Sequence, residues 1–236
     1  MAPLLEAERV NVSFGGLRAV VDVSLEVRAG TCTAVIGPNG AGKTTLINAI
    51  SGITPMTSGT IRIQGKVPSR WSLSRAARAG VTRTFQGTRL FNSMTVIEHV
   101  ATASLNTGTA VDPRAILERL ALTHRQNDTP SELPFGEARR LGVALALATD
   151  PRTLLLDEPG VGLTGQDLLL LTRCIKEFAA DGKGVVLVDH NMRFVMDIAD
   201  EVIVMEGGAV IAKGLPVEVR SNPAVLKAYL GGSPHA

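Results

Sequence analysis

The chain is poor in aromatic residues and in cysteine. Phe, Trp and Tyr together make up 3% of its 236 residues, with a single Trp and a single Tyr. Those two, Trp71 and Tyr229, read as packing or surface residues. The only two cysteines, Cys32 and Cys174, lie far apart, without the close spacing of a metal site. Both read as buried, reduced thiols, which suits a reducing compartment. His99, His124 and His235 show no metal spacing either. No apolar run reaches the roughly 18 residues that a membrane-crossing helix needs. The first ten residues carry Glu6, Glu8 and Arg9 and lack the apolar stretch of a signal peptide, so the protein is expected to stay in the cytosol. Neither sign of charge dominates: 24 Lys and Arg stand against 22 Asp and Glu, a formal net charge of +2. With no dense basic tract, the chain makes no electrostatic case for nucleic acid as a partner. Repeats and low-complexity tracts are missing as well.

Apolar residues, by contrast, make up 45% of the chain, enough for one well-packed α/β domain spanning 1–236. Val10, Val12 and Phe14 alternate with Asn11 and Ser13, the pattern of a half-buried strand. Beyond Gly15-Gly16, a second alternation places Val21, Val23, Leu25 and Val27 opposite Asp22, Ser24 and Glu26. Cys32–Ile36 is apolar without alternation, as in a central strand buried on both faces. A helix is predicted over 43–51, with Gly52 as its C-cap, and a peripheral strand over 60–63. Helical patterns at 94–103 and 115–122, the latter behind Asp112-Pro113, mark 87–135 as a small helical insertion. Its polar stretch 123–132 reads as a loop. Helices at 137–148, 167–180 and 192–199 then alternate with strands at 153–157 and 185–189. Leu168, Leu171, Ile175 and Phe178 share one helical face. Two short apolar runs around Gly207-Gly208 form a terminal hairpin. The expected fold is α/β, a mainly parallel sheet flanked by helices, with an antiparallel β part at the N-terminus.

Within this pattern, Gly37-Pro38-Asn39-Gly40-Ala41-Gly42-Lys43-Thr44 fits G-x-x-x-x-G-K-[ST], set between a buried strand and a helix. The glycines let the backbone wrap closely around phosphate oxygens and turn its N–H groups inward. The helix N-terminus adds a favourable field for an anion. Lys43 is placed to reach the β- and γ-phosphates, and the Thr44 hydroxyl to bind Mg2+. Downstream, Thr153–Asp157 is an apolar strand that runs into two carboxylates. Asp157 is suited to holding Mg2+ through water, and Glu158 to polarising an attacking water. Arg139-Arg140, at the start of the 137–148 helix, reads as a solvated face.

Taken in order, the phosphate loop, Gln86, Leu133-Pro134-Phe135-Gly136-Glu137, Asp157-Glu158 and His190 resemble an ABC transporter ATPase over nearly the whole chain. Residues 82–86 with Arg89-Leu90-Phe91, then 94–98, then 222–231 are similar to the ATP-binding subunit of branched-chain amino acid importers. The resemblance implies a P-loop ATPase using ATP and Mg2+, coupled to transmembrane permease subunits at the cytoplasmic face of the membrane. It implies that Phe14 stacks on adenine and that residues 37–45, through Thr45, wrap the nucleotide. Gln86 would sense Mg2+ and couple to the permease, and His190 would contact the γ-phosphate. Leu133, Pro134, Phe135, Gly136 and Glu137 match the signature segment, donated to nucleotide held by a second ATPase subunit, so that two subunits sandwich ATP. Pro134, Phe135 and Glu137 depart from the usual Leu-Ser-Gly-Gly-Gln, and Thr164 stands where the family commonly has Asp. These departures fall on the donated half-site, where losing one charge-assisted hydrogen bond costs ~1.5–3 kcal/mol, so a pair with unequal sites is an open alternative to a homodimer. A soluble, non-transport ABC ATPase and an exporter subunit also stay open.

Overall fold

The computed structural model describes residues 2–84, 90–105, 111–163 and 165–230. Strand β1 (Leu5–Phe14) pairs antiparallel with β2 (Leu17–Val27). The alternation expected in β2 holds from Val23 to Val27 but slips before it, where Val20 rather than Val21 is fully buried. Val10 pairs with Val23, whereas Val12 pairs with Val20, so β2 carries one extra residue between them. Such a bulge moves every side chain beyond it to the other face. Asp22 takes a left-handed φ of 51° at this bulge, and Arg9 one of 46° at a second register shift, between Ala7 and Val10 of β1. Asn11 serves the freed backbone: its Oδ1 accepts from the Asp22 N–H at 3.0 Å, and its Nδ2 donates to the Arg9 carbonyl at 2.9 Å.

The chain continues through β3 (Cys32–Ile36) and helix α1 (Lys43–Ile50) to β4 (Ser58–Ile63), which pairs with the other edge of β1. Next come α2 (Leu73–Arg78) and β5 (Val81–Arg83), neither expected from sequence because both are too short for a periodic signal. Helices α3 (Val96–Leu105) and α4 (Pro113–Arg119) follow; the Asp112 side chain caps α4 by accepting from the Arg114 N–H at 2.9 Å. The stretch read as a loop holds two short 3-10 turns, Thr123–Arg125 and Pro130–Glu132. Helix α5 (Phe135–Ala148) begins at Phe135 rather than Glu137. The remainder is β6 (Thr153–Asp157), α6 (Gly165–Ala180), β7 (Gly184–Val188), α7 (Met192–Ile198), β8 (Glu201–Glu206), β9 (Ala209–Gly214), α8 (Pro216–Arg220) and α9 (Pro223–Leu230). The last two helices were not expected from sequence.

One sheet is three-stranded and antiparallel, in the order β2-β1-β4; the other is six-stranded, in the order β5-β6-β7-β3-β8-β9. In the larger sheet only β9 runs antiparallel to its neighbour. Its central strands separate two apolar cores. Val185 and Leu187 of β7, with Leu154 and Leu156 of β6, face the core shared with α3 to α7. Val186, Val188 and Leu155 face the core shared with α1 and the smaller sheet. Burial on both faces is why these strands are apolar without alternation.

Arg140 contradicts the solvated face expected of Arg139-Arg140. It is 5% exposed and donates to the carbonyls of Leu120 and Ala121 behind α4, the latter at 3.2 Å. It also pairs with Asp167 at the start of α6 at 3.2 Å. One guanidinium thus ties α4, α5 and α6 together, because its planar fork can serve several acceptors at once. Replacing it by Met keeps the apolar stem but leaves the buried carbonyls without a donor. Arg140→Met is expected to lower unfolding stability by about 2–3 kcal/mol, read from urea denaturation; an unchanged midpoint would contradict this role.

Candidate functional site

The phosphate loop leaves β3 at Gly37 and enters α1 at Lys43. Gly37 has φ 151°, and a Cβ there would lie 2.1 Å from the Met205 carbonyl oxygen of β8. Gly42 has φ 96°, and a Cβ there would lie 2.2 Å from the Ala19 carbonyl oxygen of β2. Neither position has room for a side chain, and both conformations favour glycine. The loop is therefore clamped between backbone of the two sheets. Among the described residues no side chain caps α1, which leaves its first-turn N–H groups available to an anion. Lys43 curls back over the loop, its Nζ donating to the carbonyls of Gly37 at 2.8 Å and Pro38 at 2.9 Å. Burial pulls its ammonium below the usual lysine range, against the opposing charges of Glu158 and Asp157.

Asp157, at the end of β6, is 2% exposed. Its Oδ1 stands 3.5 Å from Thr44 Oγ1, and its Oδ2 pairs with the Arg83 guanidinium at 3.1 Å. Burial pushes this carboxyl above the usual range, while Arg83 pulls it down. Arg83 ends β5 and is itself buried; it donates to Asn48 Oδ1 of α1 and, at 3.2 Å, to the Thr84 carbonyl. The Asp157 N–H in turn donates to the Thr84 hydroxyl at 3.3 Å. Thr44 and Asp157 thus present a hydroxyl and a carboxylate oxygen side by side, the hard donors that Mg2+ prefers. These residues fit the ion.

Glu158 takes φ 50°, a left-handed conformation uncommon for a residue with a side chain. Its N–H donates to the Val188 carbonyl at 2.7 Å, and its own carbonyl accepts from Arg139 of α5. The surrounding structure holds a strained backbone in place, a feature that clusters at functional sites. Glu158 lines a cavity of about 430 Å³ together with the loop residues 39–45. Phe14, Leu17 and Arg18 of the β1–β2 hairpin form another wall, and Gly207-Gly208 of the β8–β9 turn a third. Phe14 is 53% exposed at the strand end, so its ring is presented to the cavity and not to a core.

The structure therefore brings Phe14, Asn39, Gly40, Ala41, Gly42, Lys43, Thr44, Thr45 and Glu158 to one cavity. Gly37 and Pro38 hold Lys43, and Asp157 lies behind Thr44. His190 does not line the cavity; it is exposed beyond β7, next to the buried Asp189, whose carboxylate accepts from Gly160 and Asn191 N–H groups, each at 2.9 Å. Leu133 to Glu137 do not line it either. Phe135 is exposed beside Gly162, where a Cβ would lie 2.6 Å from its ring. The Glu137 carboxylate is turned into the helical arm, accepting from Arg125 at 2.8 Å and lying 3.2 Å from His124 Nε2. Gln86 and Thr164 lie outside the described residues.

Sequence reading missed Arg83 and the contact of Arg139 with Glu158. A lone arginine in a short strand ahead of Gln86 was the available signal for the first; Arg139 offered none. Arg83→Met removes the buried partner of Asp157 and is expected to cost about 3–5 kcal/mol of stability. Arg83→Lys, which lacks the planar fork, is expected to recover only part of this in urea melts. Wild-type stability in Arg83→Met would refute the pairing.

A family model described as ABC transporter matches residues 20–161, and one described as branched-chain amino acid ATP-binding cassette transporter matches residues 209–235. The chain is 39% identical to the high-affinity branched-chain amino acid transport ATP-binding protein LivG of Salmonella typhimurium, over 97% of this chain and 98% of the relative. It is 38% identical to BraF of Pseudomonas aeruginosa, described in the same words, with the same coverage. Among solved structures, the ADP conformation of an ATP-binding cassette of an ABC transporter superposes with a TM-score of 0.88 at 28% identity, covering 98% of this chain and all of that one. A nucleotide-free ATP-binding cassette gives a TM-score of 0.83 at 28% identity, covering 96% and 98%.

Proposed function

This chain belongs to the ABC transporter family, and we propose that it is the subunit whose ATP hydrolysis drives import of branched-chain amino acids or a related small solute. The observation that carries the reading is the single cavity shared by Phe14, the phosphate loop and Glu158. Phe14 offers a flat apolar face to the adenine. The loop N–H groups and Lys43 take the phosphates, which requires the Lys43 ammonium to exchange its two loop carbonyls for phosphate oxygens. Thr44 and Asp157 would hold Mg2+, which when bound neutralises charge building up on the phosphates. Glu158 orients and deprotonates the attacking water from the edge of the cavity.

His190, exposed on the loop after β7, would meet the γ-phosphate only once that loop closes on nucleotide. The signature residues Leu133 to Glu137, which stand apart from the cavity, would serve the nucleotide of a second ATPase subunit. Phe135, 63% exposed at the start of α5, would be covered in that pairing. Gln86 would carry the state of the site to permease subunits, placing the protein at the cytoplasmic face of the membrane. Among the described residues no helix is long and apolar enough to cross a membrane.

Glu158→Gln keeps the shape of the side chain but removes the base. It is expected to slow hydrolysis roughly 10²–10⁴-fold while preserving ATP affinity; unchanged turnover would remove Glu158 from this role. Lys43→Ala is expected to weaken nucleotide binding, measured by calorimetry, and wild-type affinity would refute the cradle. Affinity capture from solubilised membranes is expected to recover spanning subunits, whereas capture of ribosomes alone would favour a non-transport ATPase.

A further inference from the structure

A second cavity, of about 500 Å³, opens at the opposite end of the large sheet. Gly80 and Arg152 line it, and they precede β5 and β6, whose far ends carry Arg83 and Asp157 at the nucleotide side. The five residues of β6 separate the two sites by roughly 16 Å at ~3.3 Å per residue. Around this cavity stand Lys66, Arg75, Arg78 and Arg152, facing one carboxylate, Asp150. That carboxylate is engaged by Lys183 at 2.8 Å. None of the four cations forms an ion pair with a described residue; Arg75 donates to the Ser69 hydroxyl at 3.0 Å and the Arg70 carbonyl at 3.2 Å. The excess charge of this one recess thus exceeds the formal +2 of the whole chain. The cluster is invisible as a basic tract because its members are spread from position 66 to 152 and meet only through the fold.

We propose that this recess is a binding site for a phosphate-bearing anion carrying more than one negative charge. Cations lining one recess repel one another, with a screening length of about 8 Å, and an anion that bridges them relieves that repulsion. Arg75 and Arg78, three residues apart on α2, lie on the same helix face and can present two guanidinium forks to phosphate oxygens. Trp71 supplies an apolar wall. Its indole N–H is committed to the Ile50 carbonyl at 2.8 Å, so the ring is fixed and leaves only its apolar surface to a ligand. A soluble phosphorylated metabolite and a phospholipid headgroup share this chemistry.

Trp71 is the chain's single tryptophan, so its fluorescence reports on this recess. The protein, with its nucleotide site filled by one equivalent of ADP, is titrated with inorganic tripolyphosphate and, separately, with vesicles containing cardiolipin, whose headgroup carries two ionised phosphates, at physiological salt. A saturable change with tripolyphosphate supports a soluble ligand, and a change with vesicles alone supports a headgroup. In either case affinity must fall at least about tenfold in the Arg75→Ala/Arg78→Ala double variant. The Arg75→Lys/Arg78→Lys variant, which keeps the charge, is expected to retain part of it. No saturable response to either probe, or equal affinity in the double alanine variant with an unchanged melting profile, would overturn the proposal.

Discussion

Two backbone carbonyls set the shape of the nucleotide site. Those of Met205 and Ala19 press on Gly37 and Gly42 so closely that a Cβ would sit 2.1 Å and 2.2 Å from them. The first comes from the large sheet and the second from the small one. The phosphate loop therefore exists in its wrapped form only where the two sheets are correctly stacked. Everything that depends on its amides, from the position of Lys43 to that of Thr44, inherits this stacking. The apolar core between the sheets, built from residues such as Leu46, Ile47, Val35 and Val188, is the force that holds the clamp shut.

The carboxylate end of the site rests on a different device. Asp157 is buried, and its second oxygen is occupied by Arg83 from the neighbouring strand. That leaves Oδ1 as the oxygen facing Thr44. Strand β5 has only three residues, yet it delivers this arginine directly ahead of the segment containing Gln86. Glu158 is then turned into the cavity by its left-handed backbone, anchored on Val188 and gripped from α5 by Arg139. The helix whose start carries the signature residues is thereby mechanically tied to the residue read as the base.

Much of this was legible in the sequence. The phosphate loop, the apolar strand ending in two acids and the alternation of helices and strands each carry strong local signals, and the large sheet is mainly parallel, as expected. What was not legible depends on pairing across distance. The bulge at Asp22 shifts burial from Val21 to Val20, and only Asn11 on the facing strand explains it. Arg140 reads as an exposed helical charge until α4 and α6 close over it. Glu137 looks like a ligand-facing residue at a helix start, yet Arg125 and His124 draw its carboxylate into the helical arm. Short elements such as α2 and β5 lack the length for periodicity, and with them went the basic recess and the role of Arg83.

The central claim is that main-chain amides of the clamped loop hold the nucleotide. Backbone hydrogen exchange of residues 37–46, followed with and without Mg·ATP in the Glu158→Gln protein, tests it most directly. Bound nucleotide is expected to slow exchange of these amides at least about tenfold. If calorimetry shows nucleotide bound while the loop amides exchange at their unliganded rate, the account is wrong.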